Sequence, residues 1–171
     1  MVSISDNKRR MGSLIGSLSA DFSLATAVIS SNEESQWGTM VEKSIIKTKN
    51  APTAGLPLSQ GVKVQGVSGL IYTSGFTPRD PGKEGCPLVD GDIGVQTERS
   101  LLNLKAVLEE AGASFQHVVK VNVFLTDIRR DFKGMNEVYA KFFPDDRPAR
   151  TTVEAKLAVD TLVEIEMIAA I

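Results

Sequence analysis

The sequence predicts an α+β fold, a mixed β-sheet of about six strands with two helices on one face. Three observations predict it. Short runs rich in strand-forming residues recur between Gly- and Pro-containing turns. Two longer stretches fit helices, the first with leucines spaced by three and four. Their order along the chain is three strands, helix, strand, helix and two strands.

Ser44 to Lys49 reads as the first strand and Gly61 to Gln65 as the second, followed by the turn Gly66-Val67-Ser68-Gly69. Leu70 to Phe76 is the third, stopped by Pro78 and the loop Asp80-Pro81-Gly82-Lys83-Glu84-Gly85. Asp92 carries a carboxylate that can accept from the free N–H groups of a first helical turn. The helix it opens runs to Ala111, and Gly112 ends it. Leu101, Leu104, Leu108 and Ala111 form its expected apolar stripe, with Glu98, Arg99, Lys105, Glu109 and Glu110 on a solvated side. Val118 to Leu125 alternates as a strand, placing Val119, Val121, Val123 and Leu125 on one face. Phe132 to Phe143 fits the second helix, ended before Pro144. Ala149 to Ala155 and Leu162 to Ala170 are the last two strands.

Composition narrows the function. The chain has 171 residues, 42% of them hydrophobic, enough to bury a core. Lys and Arg number 19 against 21 Asp and Glu, so the net charge of −2 offers no electrostatic footprint for nucleic acid or an anionic membrane. A single cysteine, Cys86, excludes an internal disulfide framework, and a single histidine, His117, excludes paired-histidine metal motifs. No apolar run approaches the roughly 18 residues of a membrane-spanning helix. The expectation is a cytoplasmic protein.

Residues 1–40 differ from the rest. They hold nine serines, the basic cluster Lys8-Arg9-Arg10 and the acids Asp6, Asp21, Glu33 and Glu34. They read as a flexible N-terminal extension, with residues 41–171 as the folded domain. The serines and early basic cluster suit a mitochondrial presequence, the alternative compartment, but such segments avoid acids. Translation starting at Met40 is a third reading. Trp37 lies in this stretch and has no expected chemical role.

The common catalytic constellations are absent: no phosphate-binding loop, no nucleophile elbow and no H-E-x-x-H. His117, at a strand start, reads as a half-exposed structural histidine. Cys86 sits in a Gly/Pro loop with only Lys83 nearby to lower its pKa, which argues against a catalytic thiolate. The C-terminal third is richer. Pro148-Ala149-Arg150-Thr151-Thr152-Val153 puts an arginine at the start of a strand. Its planar fork suits bidentate capture of a carboxylate. Val163-Glu164-Ile165-Glu166-Met167 puts two carboxylates on one strand face among apolar residues, a setting that suits proton transfer near neutral pH. An ordinary salt bridge or an edge-strand charge explains the same residues.

Six blocks in order carry a resemblance. They are Asn50-Ala51-Pro52 leading to Ser59-Gln60, Tyr72-Thr73-Ser74-Gly75, and the long helix from Thr97 to Gly112. Val118-Val119-Lys120 through Asp127 to Phe132, Met135-Asn136-Glu137-Val138-Tyr139 through Phe142-Phe143, and Pro148-Ala149-Arg150 through Glu164-Ile165-Glu166 complete the set. Residues 44–171 thereby resemble the RidA family, also called the YjgF or reactive-intermediate deaminase family. The resemblance implies a chorismate-mutase-like fold and a homotrimer with sites between subunits. It implies hydrolysis of 2-imino and enamino acids to 2-keto acids and ammonia, without a metal or organic cofactor. Arg150 matches the family arginine that clamps the substrate carboxylate, and Glu164 the glutamate that positions or activates water. The Thr152 main chain, Ser74, Gly75 and Asn136 match other pocket positions. The family tyrosine before Ser-Gln is Leu58 here, which removes a phenol from the pocket. A carboxylate-binding module with little activity, or an enzyme specialised for a pathway imine, are the competing readings. Ribonuclease activity, also attributed to the family, finds no basic stripe or aromatic platform here.

Overall fold

The computed structural model describes residues 41–52 and 55–171. The expectations for residues 1–40, including the extension, the presequence and Trp37, lie outside the described residues.

The described strands and helices are β1 (Glu42–Ile46), β2 (Gly61–Gln65), β3 (Leu70–Tyr72), α1 (Ile93–Glu110), β4 (Val118–Leu125), α2 (Ile128–Phe142), β5 (Ala149–Glu154) and β6 (Val163–Ala170). The mixed sheet and two helices agree with the sequence. The strands, however, hydrogen-bond as two sheets rather than one. β1 and β2 form an antiparallel hairpin, and the larger sheet has the order β3-β6-β4-β5. Within it only the β4–β5 pair is parallel. A bridge between Ser59 and Ala149 ties the segment after β1 to the β5 edge. The Lys43 ammonium donates to the carbonyls of Gln116 and Val118, at 3.2 and 2.8 Å, and pins the hairpin to the turn before β4.

Both helices cover one face of the larger sheet. Leu101, Leu104 and Leu108 of α1 and Met135 and Tyr139 of α2 pack on Val121, Val123 and Leu125 of β4 and Val163, Ile165 and Met167 of β6. Each fully buried leucine of this layer contributes roughly 2 kcal/mol by leaving water. Among the described residues no helix covers the opposite face, and Tyr72, Leu70 and Val153 are 69%, 50% and 41% exposed.

Local chemistry sets the boundaries. Val95 N–H donates to Asp92 Oδ1 at 3.0 Å, the expected cap of α1. Gly112, at φ 73°, turns the chain away in a left-handed conformation that suits glycine. Ala111 is exposed and outside the stripe, because the helix ends at Glu110. The second helix begins four residues earlier than expected. Arg130 N–H donates to Asp127 Oδ1 at 2.9 Å, and Ile128 N–H to Glu154 Oε2 at 3.0 Å, so Asp127 is a true cap. In β4 a register shift against β6 between Val118 and Lys120 changes the alternation. Val118, not Val119, therefore joins the buried face. The first strand ends at Ile46, and the third leaves the ladder after Tyr72, returning only where Phe76 bridges Ile165.

Candidate active site

Arg150 lies opposite Val121 in the parallel β4–β5 register, which aims its side chain at the helix-covered face. There it meets aromatic rings. Its guanidinium carbon sits 4.6 Å from the centroid of Tyr139 and 6.0 Å from that of Phe132. Nε and Nη1 are buried and have no hydrogen-bond partner among the described residues. Burial lowers the guanidinium pKa from its ordinary value, with Tyr139 acting in the opposite direction. A desolvated cation whose N–H fork is unspent is a poor stabiliser of the fold and a good receptor for a carboxylate. Thr152, opposite Val123, shares this face. Asn136 lies between Phe132 and Tyr139 on the same side of α2. The Thr152 hydroxyl, the Asn136 side-chain oxygen Oδ1 and the Tyr139 hydroxyl are likewise buried and without a hydrogen-bond partner among the described residues.

Glu164 stands elsewhere. It lies opposite Phe124, and Phe124 lies opposite Val153, all on the face without helices. Gly75 rests against its carboxyl group. A Cβ on Gly75 would overlap Oε1 and come within 2.9 Å of Cδ and 3.1 Å of Cγ. Glycine is needed here for close approach rather than for an unusual backbone angle. The segment carrying Ser74 and Gly75 is clamped at both ends. Thr73 N–H donates to the Met167 carbonyl at 3.0 Å, and Met167 N–H donates to Thr73 Oγ1 at 2.9 Å. Phe76 and Ile165 exchange main-chain bonds of 2.8 and 3.1 Å. Ser74 is exposed beside Gly75. The second carboxylate, Glu166, accepts from Asn122 Nδ2 at 2.8 Å, whereas Glu164 has no side-chain hydrogen bond among the described residues.

Leu58 approaches from the segment after β1. It lines a groove of about 880 Å³ whose walls include Arg150, Thr151 and Lys120. Ser59 N–H donates to the Pro148 carbonyl at 3.2 Å, and its hydroxyl donates to the Arg147 carbonyl, so this segment moves with the start of β5. The Gln60 amide closes the segment on itself. It accepts from Thr48 N–H at 2.7 Å and donates to the carbonyls of Thr48, Ala51 and Pro52 at 2.8–3.2 Å.

The structure thus forms two groups from the sequence candidates. Arg150, Thr152 and Asn136 gather beneath α2, with Leu58 on the adjoining groove. Ser74, Gly75 and Glu164 gather on the other face. Within one chain these two groups do not meet. Tyr139 was not among the sequence candidates. It falls seven residues after Phe132, in a helical register that reads equally well as core. His117 has the structural role expected of it, its Nδ1 accepting from Ser114 N–H at 3.0 Å in a capping box. Cys86 is exposed and unbridged. Among the described residues no group of three or more His, Cys, Asp or Glu is placed to hold a metal, and no helix is long and apolar enough to cross a membrane.

Comparison with known proteins connects this geometry to a family. Residues 48–171 match the family model described as Endoribonuclease L-PSP. A RutC family protein of Pyrococcus abyssi is 47% identical over 128 residues, covering 74% of this chain and 96% of that protein. The chloroplastic Reactive Intermediate Deaminase A of Arabidopsis thaliana is 38% identical over 132 residues, covering 77% of this chain and 67% of that one. The crystal structure of RidA from an Antarctic Psychrobacter bacterium superposes with a TM-score of 0.56 at 40% identity, over 75% of this chain and 99% of that one.

Proposed function

Since the chain belongs to the Endoribonuclease L-PSP family, which includes the YjgF and RidA proteins, we propose that it hydrolyses reactive 2-imino and enamino acids to 2-keto acids and ammonia. The observation that carries this reading is the Arg150 guanidinium, buried on an aromatic face with Nε and Nη1 unpartnered. In this reading its fork holds the substrate carboxylate and fixes C2 of the imine. Glu164 accepts a proton from a water molecule as the water oxygen bonds to C2. The proton passes to the nitrogen of the resulting carbinolamine. Glu164 then takes the carbinolamine hydroxyl proton and passes it to the nitrogen as C=O forms and the C–N bond breaks, so that ammonia leaves. The imine carbon is already electrophilic, so orientation and one proton shuttle account for the catalysis.

Arg150 and Glu164 occupy opposite faces of one sheet, so the reading places each site between copies. Arg150, Asn136 and Thr152 come from one chain, with Glu164 of the partner subunit completing the site in a homotrimer. The exposed apolar face bearing Tyr72, Leu70 and Val153 supplies a surface for a second copy to cover. The compartment is taken as the cytoplasm. Import by isolated mitochondria with removal of residues 1–40 would replace that assignment.

The test couples an imine-generating dehydratase to the purified protein over a panel of amino acids. Turnover is expected in the wild type and is expected to vanish in Arg150→Ala, with size-exclusion showing an unchanged assembly. Full turnover in that variant would sink the reading. Leu58 favours one second reading, a module that captures 2-keto or 2-imino acids with little chemistry. A melting shift with 2-ketobutanoate in the absence of imine hydrolysis would select it.

A further inference from the structure

The chain handles two arginines in opposite ways. Arg130 spends its fork locally, Nε and Nη2 donating to the two carboxylate oxygens of Asp131 at 2.8 and 2.6 Å. Arg150 has no carboxylate within ion-pair distance among the described residues, and its guanidinium carbon instead sits over an aromatic ring, 4.6 Å from the centroid. The ring beneath it, Tyr139, is fully buried and is itself fixed. Tyr139 stacks on Phe143 with ring centroids 4.6 Å apart, and Phe143 meets Phe115 edge-on at 5.1 Å. Burial keeps the Tyr139 phenol neutral well above its ordinary range, so the ring attracts the cation without discharging it.

Resting on the reading of Arg150 as the carboxylate clamp, we propose that Tyr139 is a positioning residue for that clamp. It is the top of a Tyr139–Phe143–Phe115 stack that sets the plane of the guanidinium. A carboxylate counter-ion would orient Arg150 equally well, but it would occupy the same N–H groups that the substrate needs. An aromatic face orients the fork and leaves those groups free. The hydroxyl of Tyr139 takes no part, so the ring alone carries the role.

The experiment measures KM and kcat for freshly generated 2-iminobutanoate in Tyr139→Phe, Tyr139→Leu and Phe143→Leu, with Arg150→Ala in parallel. Tyr139→Phe is expected to stay within about twofold of wild type. Tyr139→Leu keeps apolar bulk without the ring face and is expected to raise KM about 10-fold, with kcat changed far less. Phe143→Leu loosens the core without touching Arg150. By removing the ring that fixes Tyr139, it is expected to raise KM a few-fold, less than Tyr139→Leu, with kcat changed far less. If Tyr139→Leu does not fold, Tyr139→Met tests the same loss. An unchanged KM in the ring-less variant would overturn the proposal, as would an equal loss in Tyr139→Phe. If Arg150→Ala itself keeps the wild-type KM, the clamp reading fails. If Arg150→Ala loses binding and Tyr139→Leu does not, the platform alone fails.

Discussion

Replacing Gly75 with alanine tests the placement of Glu164 with the smallest possible perturbation. The added methyl group would overlap Oε1 and sit 2.9 Å from Cδ, where ordinary contact begins at 3.4 Å. The carboxyl carbon must therefore retreat by at least about 0.5 Å, and the overlapped oxygen by more, or on the order of 1 Å. Glu164 is only half-buried, so its side chain can swing away without unfolding anything. Gly75 has no left-handed backbone angle to lose, and alanine there changes stability by no more than about 1 kcal/mol. Displacement of a catalytic group by 1 Å lowers the rate by up to about 100-fold. The expected result is a kcat for 2-iminobutanoate reduced by about 10- to 100-fold, a KM within a few-fold of wild type and a nearly unchanged melting temperature. The effect should also be absent in a Glu164→Gln background, because a group that acts through Glu164 has nothing left to displace. A Gly75→Ala enzyme with wild-type kcat would refute the placement. So would a double variant in which the two losses multiply.

Three further outcomes follow from the same geometry. Arg150→Met exchanges an unpaired buried cation for an apolar chain of similar length, and should abolish turnover while raising stability by about 1 kcal/mol in thermal melts. A drop in stability would show that the stacked guanidinium holds the fold together. Lys43 is half-buried, and burial lowers its pKa from 10.5, with the charge of Asp146 opposing. The unfolded chain then binds more protons between the folded value and 10.5, so this group makes stability rise with pH across that window. Lys43→Met should flatten that rise in denaturant titrations compared with wild type, and identical pH slopes would contradict the assignment. Leu58→Tyr places a phenol in the groove beside Arg150. It should increase kcat/KM for small imines several-fold, and an unchanged rate would clear Leu58 of limiting the enzyme.

Legibility in the sequence followed the range of the interactions. The first helix was readable to within a residue at each end, because Asp92, the leucine stripe and Gly112 act within a few positions of one another. The start of α2 was readable in principle, since Ile128 precedes Phe132 by four and Asp127 stands where a cap belongs. The shared face of Glu164 and Glu166 follows from strand alternation alone. What alternation cannot supply is the relation of one strand to another. That Arg150 points toward the helices and Glu164 away from them depends on the β3-β6-β4-β5 order and on Arg150 pairing with Val121. Both are contacts between distant parts of the chain. Tyr139 was hidden for the same reason. Its spacing marks it as core, and only the register of β5 brings a cation over its ring.

The Gln60 amide makes the segment before β2 a self-contained insert. Its internal bonds run back to Thr48, Ala51 and Pro52, and Ser59 fastens it to the entrance of β5. Leu58, which lies between those fastenings, can therefore change without rebuilding the sheet or the helices. Such an arrangement lets substitution at Leu58 reshape the mouth of the groove while Arg150 behind it stays put.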